Sequence, residues 1–112
     1  MKQIKAYIHQ IRTAQVVQAL ADAGFRNLAL LDVKGTLKPL SDNERYYSPE
    51  GIGLLIGEVR LELVCEDHEA DAVTAIIRTH AQIGPQVSGW VYVSPLEQAL
   101  PIGGEPPAAP TS

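Results

Sequence analysis

The sequence has only one cysteine, Cys65, so no intramolecular disulfide can form and the chain suits a reducing compartment. It also lacks an excess of positive charge: nine Lys and Arg residues face thirteen Asp and Glu residues, which argues against a nucleic-acid partner. No apolar run approaches the length of a membrane span, and Lys2 and Lys5 are not typical of an apolar leader segment. We therefore expect a cytoplasmic protein that is not itself inserted in a membrane.

Groupings that indicate catalysis are missing as well. The sequence shows no Ser-His-Asp set, no glycine-rich phosphate loop before a helix and no isolated pair of carboxylates. Cys65 continues the alternation of Val59, Leu61 and Leu63, which favours a buried thiol over a nucleophile. We therefore expect a protein that is not an enzyme.

Periodic patterns predict four strands and two helices. Four segments alternate apolar and polar side chains or are otherwise typical of strands: residues 2–9, 28–33, 59–65 and 90–94. Apolar residues recur at helical spacing after Thr13 and after Asp67, the two residues expected to cap the helices. Gly24 supplies a left-handed stop for the first helix.

The element order, strand, helix, strand in each of two halves, predicts an α+β fold. It is typical of the ferredoxin-like βαββαβ plait, with both helices on one face of the sheet. The domain would span residues 1–100, and the Pro- and Ala-rich tail at 101–112 is expected to be flexible. The open sheet face would mix charged and apolar residues, which favours packing against further copies: Lys5, Tyr7, Arg60, Glu62, Val64, Trp90 and Tyr92.

A long connection separates the second and third strands. It contains about two dozen residues rich in Gly, Pro, Ser, Asp and Asn, and a small domain seldom carries so long a connection without a use for it.

A series of short motifs follows a fixed order along most of the chain. They are the Met-Lys-x-Ile opening, a helix ending in Ala-Gly-Phe, a strand closing in Val-Lys-Gly, the loop residues Glu44, Tyr46 and Glu50, and then VRLELV, AIIRT and VYVSP. In these features the chain resembles the PII signal-transduction proteins. The resemblance implies a homotrimer with effector sites in the clefts between subunits. It also identifies residues 35–57 as the T-loop, the segment with which this family engages a target protein.

Within that loop we expect partner contacts from a set of basic, aromatic and aliphatic residues: Arg45, Tyr46, Tyr47, Ile52, Leu54 and Leu55. The tyrosine that is uridylylated in the family matches Gly51, so this modification is not expected here.

Departures from the family pattern bear on the ligand. A phosphate-facing lysine of the family matches Trp90, and two arginines match Pro101 and Gly103. Because charge-assisted bonds of this kind are each worth about 1.5 to 3 kcal/mol, the usual hold on ATP is expected to be lost. We therefore expect the nucleotide to be ADP or AMP. The 2-oxoglutarate site is also altered, with Pro39 and Glu58 at its glutamine and lysine positions, so we do not expect 2-oxoglutarate to be an effector.

Carrying the family's ligand residues over position by position, and adding Lys34 as a remaining cation, gives a candidate effector site. Its members come from the strands, the loop root and the second ligand loop: Tyr7, Leu28, Ala29, Lys34, Gly35, Lys38, Glu62, Val64, Gly84, Ser88 and Gly89. Ala29 replaces a threonine hydroxyl that reads the adenine ring. Lys34 and Lys38 are the remaining cations for a phosphate or a small anion, and the alternative is that both are solvated loop lysines.

The leading hypothesis is a trimeric regulator that binds an adenine nucleotide, with bicarbonate as a second ligand, and controls a transporter or a component of carbon metabolism. It follows from the similarity to divergent PII-like proteins tied to inorganic-carbon handling. A second hypothesis is a metal-responsive protein that uses His9, His68, His80 and Cys65, although their spacing is not that of a zinc site and each histidine could be an ordinary surface or helix-end residue. A third is a ligand-free scaffold that docks through the apolar stretch GIGLLIG.

Overall fold

The computed structural model describes residues 1–37, 45–47 and 54–104, and for 45–47 and residue 54 it describes the backbone alone. Predictions that fall on Lys38, on Ile52 and on the tail beyond residue 104 lie outside these residues. In chain order the elements are β1 (Lys2–His9), α1 (Thr13–Asp22), β2 (Leu28–Gly35), β3 (Arg45–Tyr47), β4 (Leu54–Cys65), α2 (Ala70–Ala81) and β5 (Gly89–Pro95).

The strands form one antiparallel sheet in the order β2-β4-β1-β5, with the short β3 paired to the beginning of β4. Both helices pack on the same face, where their buried residues share one core with the strands. This is the ferredoxin-like arrangement, so the predicted fold class is confirmed. Within the described residues, neither helix has the length and apolar character needed to cross a membrane.

The core follows from the two periodicities of the sequence. Alternate residues of β1 and β4 point to the helices, and apolar residues at helical spacing meet them from α1 and α2: Ile4, Ala6, Ile8, Val59, Leu61, Leu63, Val16, Leu20, Val73 and Ile77. Cys65 is buried in this layer, as predicted, and burial raises the pKa of its thiol, with Glu69 and Glu66 adding to the rise.

The two predicted helix caps are wrong. A 3₁₀ turn precedes each helix, at Gln10–Arg12 and at Asp67–Glu69. Thr13 is therefore already helical and its hydroxyl makes no capping bond. The Asp67 carboxylate pairs with the amino group of Met1 at 2.9 Å, and this hydrogen bond lowers the pKa of Asp67. Gly24 does end α1 in a left-handed conformation, with φ of 94°.

Two strands extend further into the long connection than predicted. β2 continues to Gly35, and β4 begins at Leu54 rather than near Val59. The reason is strand pairing, since Gly35 lies opposite Ile56 and β3 lies opposite residues 54–56. Neighbouring strands therefore provide hydrogen-bond partners for the backbone of this glycine-containing segment. The edges of the connection are therefore part of the sheet.

Gly89 permits the close approach of β5 to β1. A Cβ atom at this position would overlap the carbonyl oxygen of Tyr7 on the neighbouring strand. We expect Gly89→Ala to lower the free energy of unfolding by about 2 kcal/mol, because backbone must move to accept the methyl group. Chemical denaturation would measure the loss. Ser94→Ala, at an exposed position of the same strand, is the control, and an equal effect of both changes would contradict the assignment.

Candidate functional site

The sheet face opposite the helices carries the mixed set of residues that the alternation predicts. The register places Lys5 between Glu62 and Tyr92, and Tyr7 between Arg60 and Trp90. Val64, Trp90 and Tyr92 leave 43%, 55% and 53% of their surface exposed in the single chain. This open face is therefore rich in aromatic and aliphatic surface that the chain itself does not cover.

A cavity of about 570 Å³ lies where the open face meets the root of the long connection. We call it the loop-root cavity. Its aromatic wall contains Tyr7, Trp90 and Tyr92, and the rings of Tyr7 and Tyr92 stand edge to face with their centroids 5.8 Å apart. Its polar wall is formed by residues from the end of β2, the turn that follows and β4: Lys34, Gly35, Thr36, Leu37, Glu58 and Arg60. A flat apolar group and a small charged group could both find partners here.

Glu58 holds the polar wall in place. The side chain crosses from β4 to β2, is 3% exposed, and its Oε2 accepts a hydrogen bond of 3.0 Å from the backbone N–H of Leu37. It lies directly over Gly35, where a Cβ atom would overlap the carboxyl group. The glycine thus makes room for the carboxylate, and the carboxylate fixes the first residues that follow β2.

Arg60 and Glu62 form an ion pair on the neighbouring part of the open face. The Arg60 Nε atom lies 3.0 Å from Glu62 Oε1, and both side chains are about seven-tenths buried. The pair is an electrostatic contact without a well-directed hydrogen bond, since Arg60 Nε lacks an aligned acceptor. Glu62 therefore offsets much of the positive charge that Arg60 brings to the cavity.

A second cavity of about 640 Å³ lies between the end of α2 and the connection to β5. Ser88 links the two ends of this connection by hydrogen bonds. Its Oγ accepts one from the Ile83 N–H and donates one to the Ile83 carbonyl oxygen, both at 2.8 Å. Trp90 lines this cavity as well as the loop-root cavity.

The structure divides the candidate effector residues into groups. Tyr7, Lys34 and Gly35 line the loop-root cavity, whereas Ser88 and Gly89 line the second cavity. The remaining described members lie elsewhere: Ala29, Glu62 and Val64 further along the open face, Leu28 against the core, and Gly84 in the turn before β5 with φ of 66°. Lys38 lies outside the described residues.

Residues absent from the candidate list complete the loop-root cavity. Glu58, Arg60, Trp90 and Tyr92 all line it. Alternation with core residues already predicts Arg60, Trp90 and Tyr92 on the open face and would place Glu58 there too, but only the strand register brings them beside Tyr7 and Gly35.

The predicted partner residues lie on a β ribbon. The backbone of Arg45, Tyr46 and Tyr47 pairs with Ile56, Leu55 and Leu54 respectively, and Leu55 is partly buried. Ile56 is 1% exposed, which removes it from the apolar docking stretch proposed for a ligand-free scaffold. Ile52 lies outside the described residues.

The histidines do not support the metal-responsive hypothesis. His9 is buried rather than exposed at the end of β1, opposite Glu58, and it directly precedes the 3₁₀ turn at Gln10–Arg12, as a helix-end residue would. His68 and His80 are exposed on other elements. Across residues 1–37 and 54–104, no three His, Cys, Asp or Glu side chains come close enough to hold a metal ion.

The fold and the loop-root cavity place the chain among ferredoxin-like domains with a ligand-sized site beside a long connection. The family model described as Nitrogen regulatory protein P-II matches residues 1–105. Similar proteins include the Nitrogen regulatory protein P-II of Rhizobium meliloti (strain 1021), 30% identical over 91% of both chains. Another is the Nitrogen fixation nifHD region GlnB-like protein 1 of Methanothermobacter marburgensis, 31% identical over 91% of this chain and 93% of the relative.

The chain belongs to the PII family. Proteins of this family are regulators of signal transduction rather than enzymes, bind small effector ligands, form trimers and act on target proteins.

The contact between Gly35 and Glu58 can be tested by a double-mutant cycle. Gly35 does not have positive φ, so Gly35→Ala should be costly mainly because its methyl group displaces the carboxylate. We expect a loss of about 1 to 3 kcal/mol in the free energy of unfolding with Glu58 present, and a smaller loss in the Glu58→Ala background. Denaturant unfolding of the four proteins gives the coupling. Additive costs would show that the two positions do not interact.

Proposed function

We propose that this PII-family regulator binds AMP or ADP, together with bicarbonate, in clefts between three copies of the chain and controls a target protein through residues 35–57. The observation that carries the nucleotide part is the composition of the loop-root cavity. Tyr7, Trp90 and Tyr92 offer ring surface for an adenine base, and base stacking on aromatic side chains is worth about 1 to 3 kcal/mol per base.

The charge of the same cavity supports a nucleotide with few phosphates. Lys34 and Arg60 bring positive charge to its wall, but Glu62 lies against Arg60 and Glu58 adds a negative charge of its own. A triphosphate would need several cations to offset its charge, whereas one or two phosphates need fewer. Trp90 stands where the family has a phosphate-facing lysine, and the loss of this cation also favours a nucleotide with few phosphates.

The bicarbonate and target parts of the proposal derive from the similarity to PII-like proteins tied to inorganic-carbon handling. Bicarbonate is a small monoanion, which places a smaller demand on the cavity's cations than a second phosphate would. The target in this proposal is a transporter or a component of carbon metabolism. The protein would meet it in the cytoplasm, a reducing compartment that suits a chain with one buried, unpaired thiol.

The open face supports assembly into a trimer. Exposed apolar surface of this extent on one sheet face is costly in water, and a second and third copy of the chain would cover it. Effector clefts between copies would also explain why the candidate effector residues lie in separate groups within one chain.

The effector proposal predicts a defined order of affinities. Calorimetry with AMP, ADP and ATP, each with and without bicarbonate, should show AMP or ADP binding at least about tenfold more tightly than ATP, because the cavity carries little net positive charge. Bicarbonate should strengthen nucleotide binding, and 2-oxoglutarate should give no heat. Trp90→Ala should weaken the preferred nucleotide by about tenfold or more through lost stacking.

Ile11→Ala is the matched control for the aromatic substitution. Ile11 is exposed in the 3₁₀ turn after β1 and lines neither cavity, so its truncation should leave nucleotide affinity unchanged. If the wild-type protein shows no heat of binding with any of the nucleotides, the effector proposal is refuted.

The trimer proposal predicts a mass in solution of about three times the 12.1 kDa chain by sedimentation equilibrium. Val64→Glu should shift this mass towards the single chain, because it places a charge on the open face opposite Gln3, which cannot neutralise it. Ile11→Glu puts the same charge on an exposed residue away from that face and should leave the mass unchanged. A wild-type protein that sediments as a single chain would rule the trimer out.

A further inference from the structure

Glu58 is the one acidic side chain among the described residues that line the loop-root cavity. It is almost fully buried, and a buried carboxylate is normally tolerated only with hydrogen-bonding partners. Here the Leu37 N–H supplies a partner at 3.0 Å. The cavity therefore has the carboxyl group of Glu58 as a fixed part of its wall.

The carboxylate is held in place as well as buried. It lies over the bare Cα of Gly35 and is anchored to the backbone two residues further on. Swinging the side chain away would break the bond to Leu37 and leave that part of the wall unfilled. An entering anion therefore meets a fixed charge, and interaction between charges is much stronger at a partly buried site than in bulk water.

We infer that Glu58 limits the negative charge of the ligand that this cavity accepts, and so makes a nucleoside monophosphate a better ligand than the triphosphate. This inference rests on the nucleotide binding proposed above and assigns the charge selection to one residue. Each added phosphate charge near Glu58 is disfavoured, while an uncharged adenosine moiety on the aromatic wall is not affected.

A purely structural role for Glu58 gives a different expectation. If the carboxylate only fixed Thr36 and Leu37, its loss would disturb the cavity for every ligand to a similar extent. If it selects by charge, its neutralisation changes the ratio between ligands of different charge and leaves the neutral ligand as it was.

The test compares the wild-type protein with Glu58→Gln, which removes the charge but keeps an oxygen that can accept the Leu37 N–H. Asp71→Asn is the matched control, because it changes the net charge by the same amount at an exposed position on α2 that lines neither cavity. Thermal unfolding of all three proteins checks that the fold is retained.

Adenosine, AMP, ADP and ATP are titrated into each protein by calorimetry. For Glu58→Gln we expect the affinity for ATP relative to AMP to rise by about tenfold, with adenosine changed by less than about twofold. Asp71→Asn should keep the wild-type order. An ATP-to-AMP ratio in Glu58→Gln that equals the wild-type ratio would overturn the inference, as would an equal change for all four ligands.

Inorganic pyrophosphate separates this inference from the nucleotide proposal. If no adenine compound binds to any of the three proteins, the nucleotide proposal fails and pyrophosphate decides the role of Glu58. Binding that is about tenfold tighter to Glu58→Gln than to the wild-type protein would support charge exclusion. Equal binding to both, or binding to neither, would overturn it.

Discussion

The hydrogen bonding of β4 to the strands on either side is the constraint on which the rest of the structure depends. This twelve-residue strand pairs with β1 along one edge and β2 along the other, and its first residues also pair with β3. Because successive side chains alternate in direction, one register assigns Leu61 to the core and Arg60 to the open face. A slip of one residue would bury Arg60 and expose Leu61, so the hydrophobic core enforces the geometry of the cavity.

That register also explains why the loop root is an ordered part of the site. Val33 lies opposite Glu58 and Gly35 opposite Ile56, which brings the carboxylate beside the glycine across the strand pair. The bond to Leu37 then extends the order of the sheet beyond the last paired residue of β2. The position from which the long connection starts is therefore set by a residue of β4, 21 positions away in sequence.

Features of the fold that arise from local periodicity could be predicted from the sequence. The alternation in residues 2–9 and 59–65 predicted which side chains of β1 and of the later part of β4 face the core, and Gly24 predicted where α1 ends. Both succeeded because the signals lie within a few residues of the feature. The cap at Thr13 failed because a 3₁₀ turn already precedes α1, and the cap at Asp67 failed for the opposite, non-local reason. The Asp67 carboxylate is taken up by the amino group of Met1, a contact between distant parts of the chain.

The candidate site shows the same division between local and distant information. Similarity to the family identified Tyr7 and Gly35, which do line the loop-root cavity, but it represented Glu58 only as a reversal of charge. The pairing of β2 with β4 shows what the reversal does: the acidic side chain becomes a structural support of the wall as well as a charge within it.

These two roles of Glu58 constrain each other. A lysine at this position could not accept the Leu37 N–H, and a small apolar residue would leave the space over Gly35 empty. Glutamine would keep a hydrogen-bond acceptor and lose the charge, so support of the wall does not by itself require an acidic residue. The negative charge is the part of Glu58 that packing leaves unexplained, and charge selection among ligands gives it a physical reason.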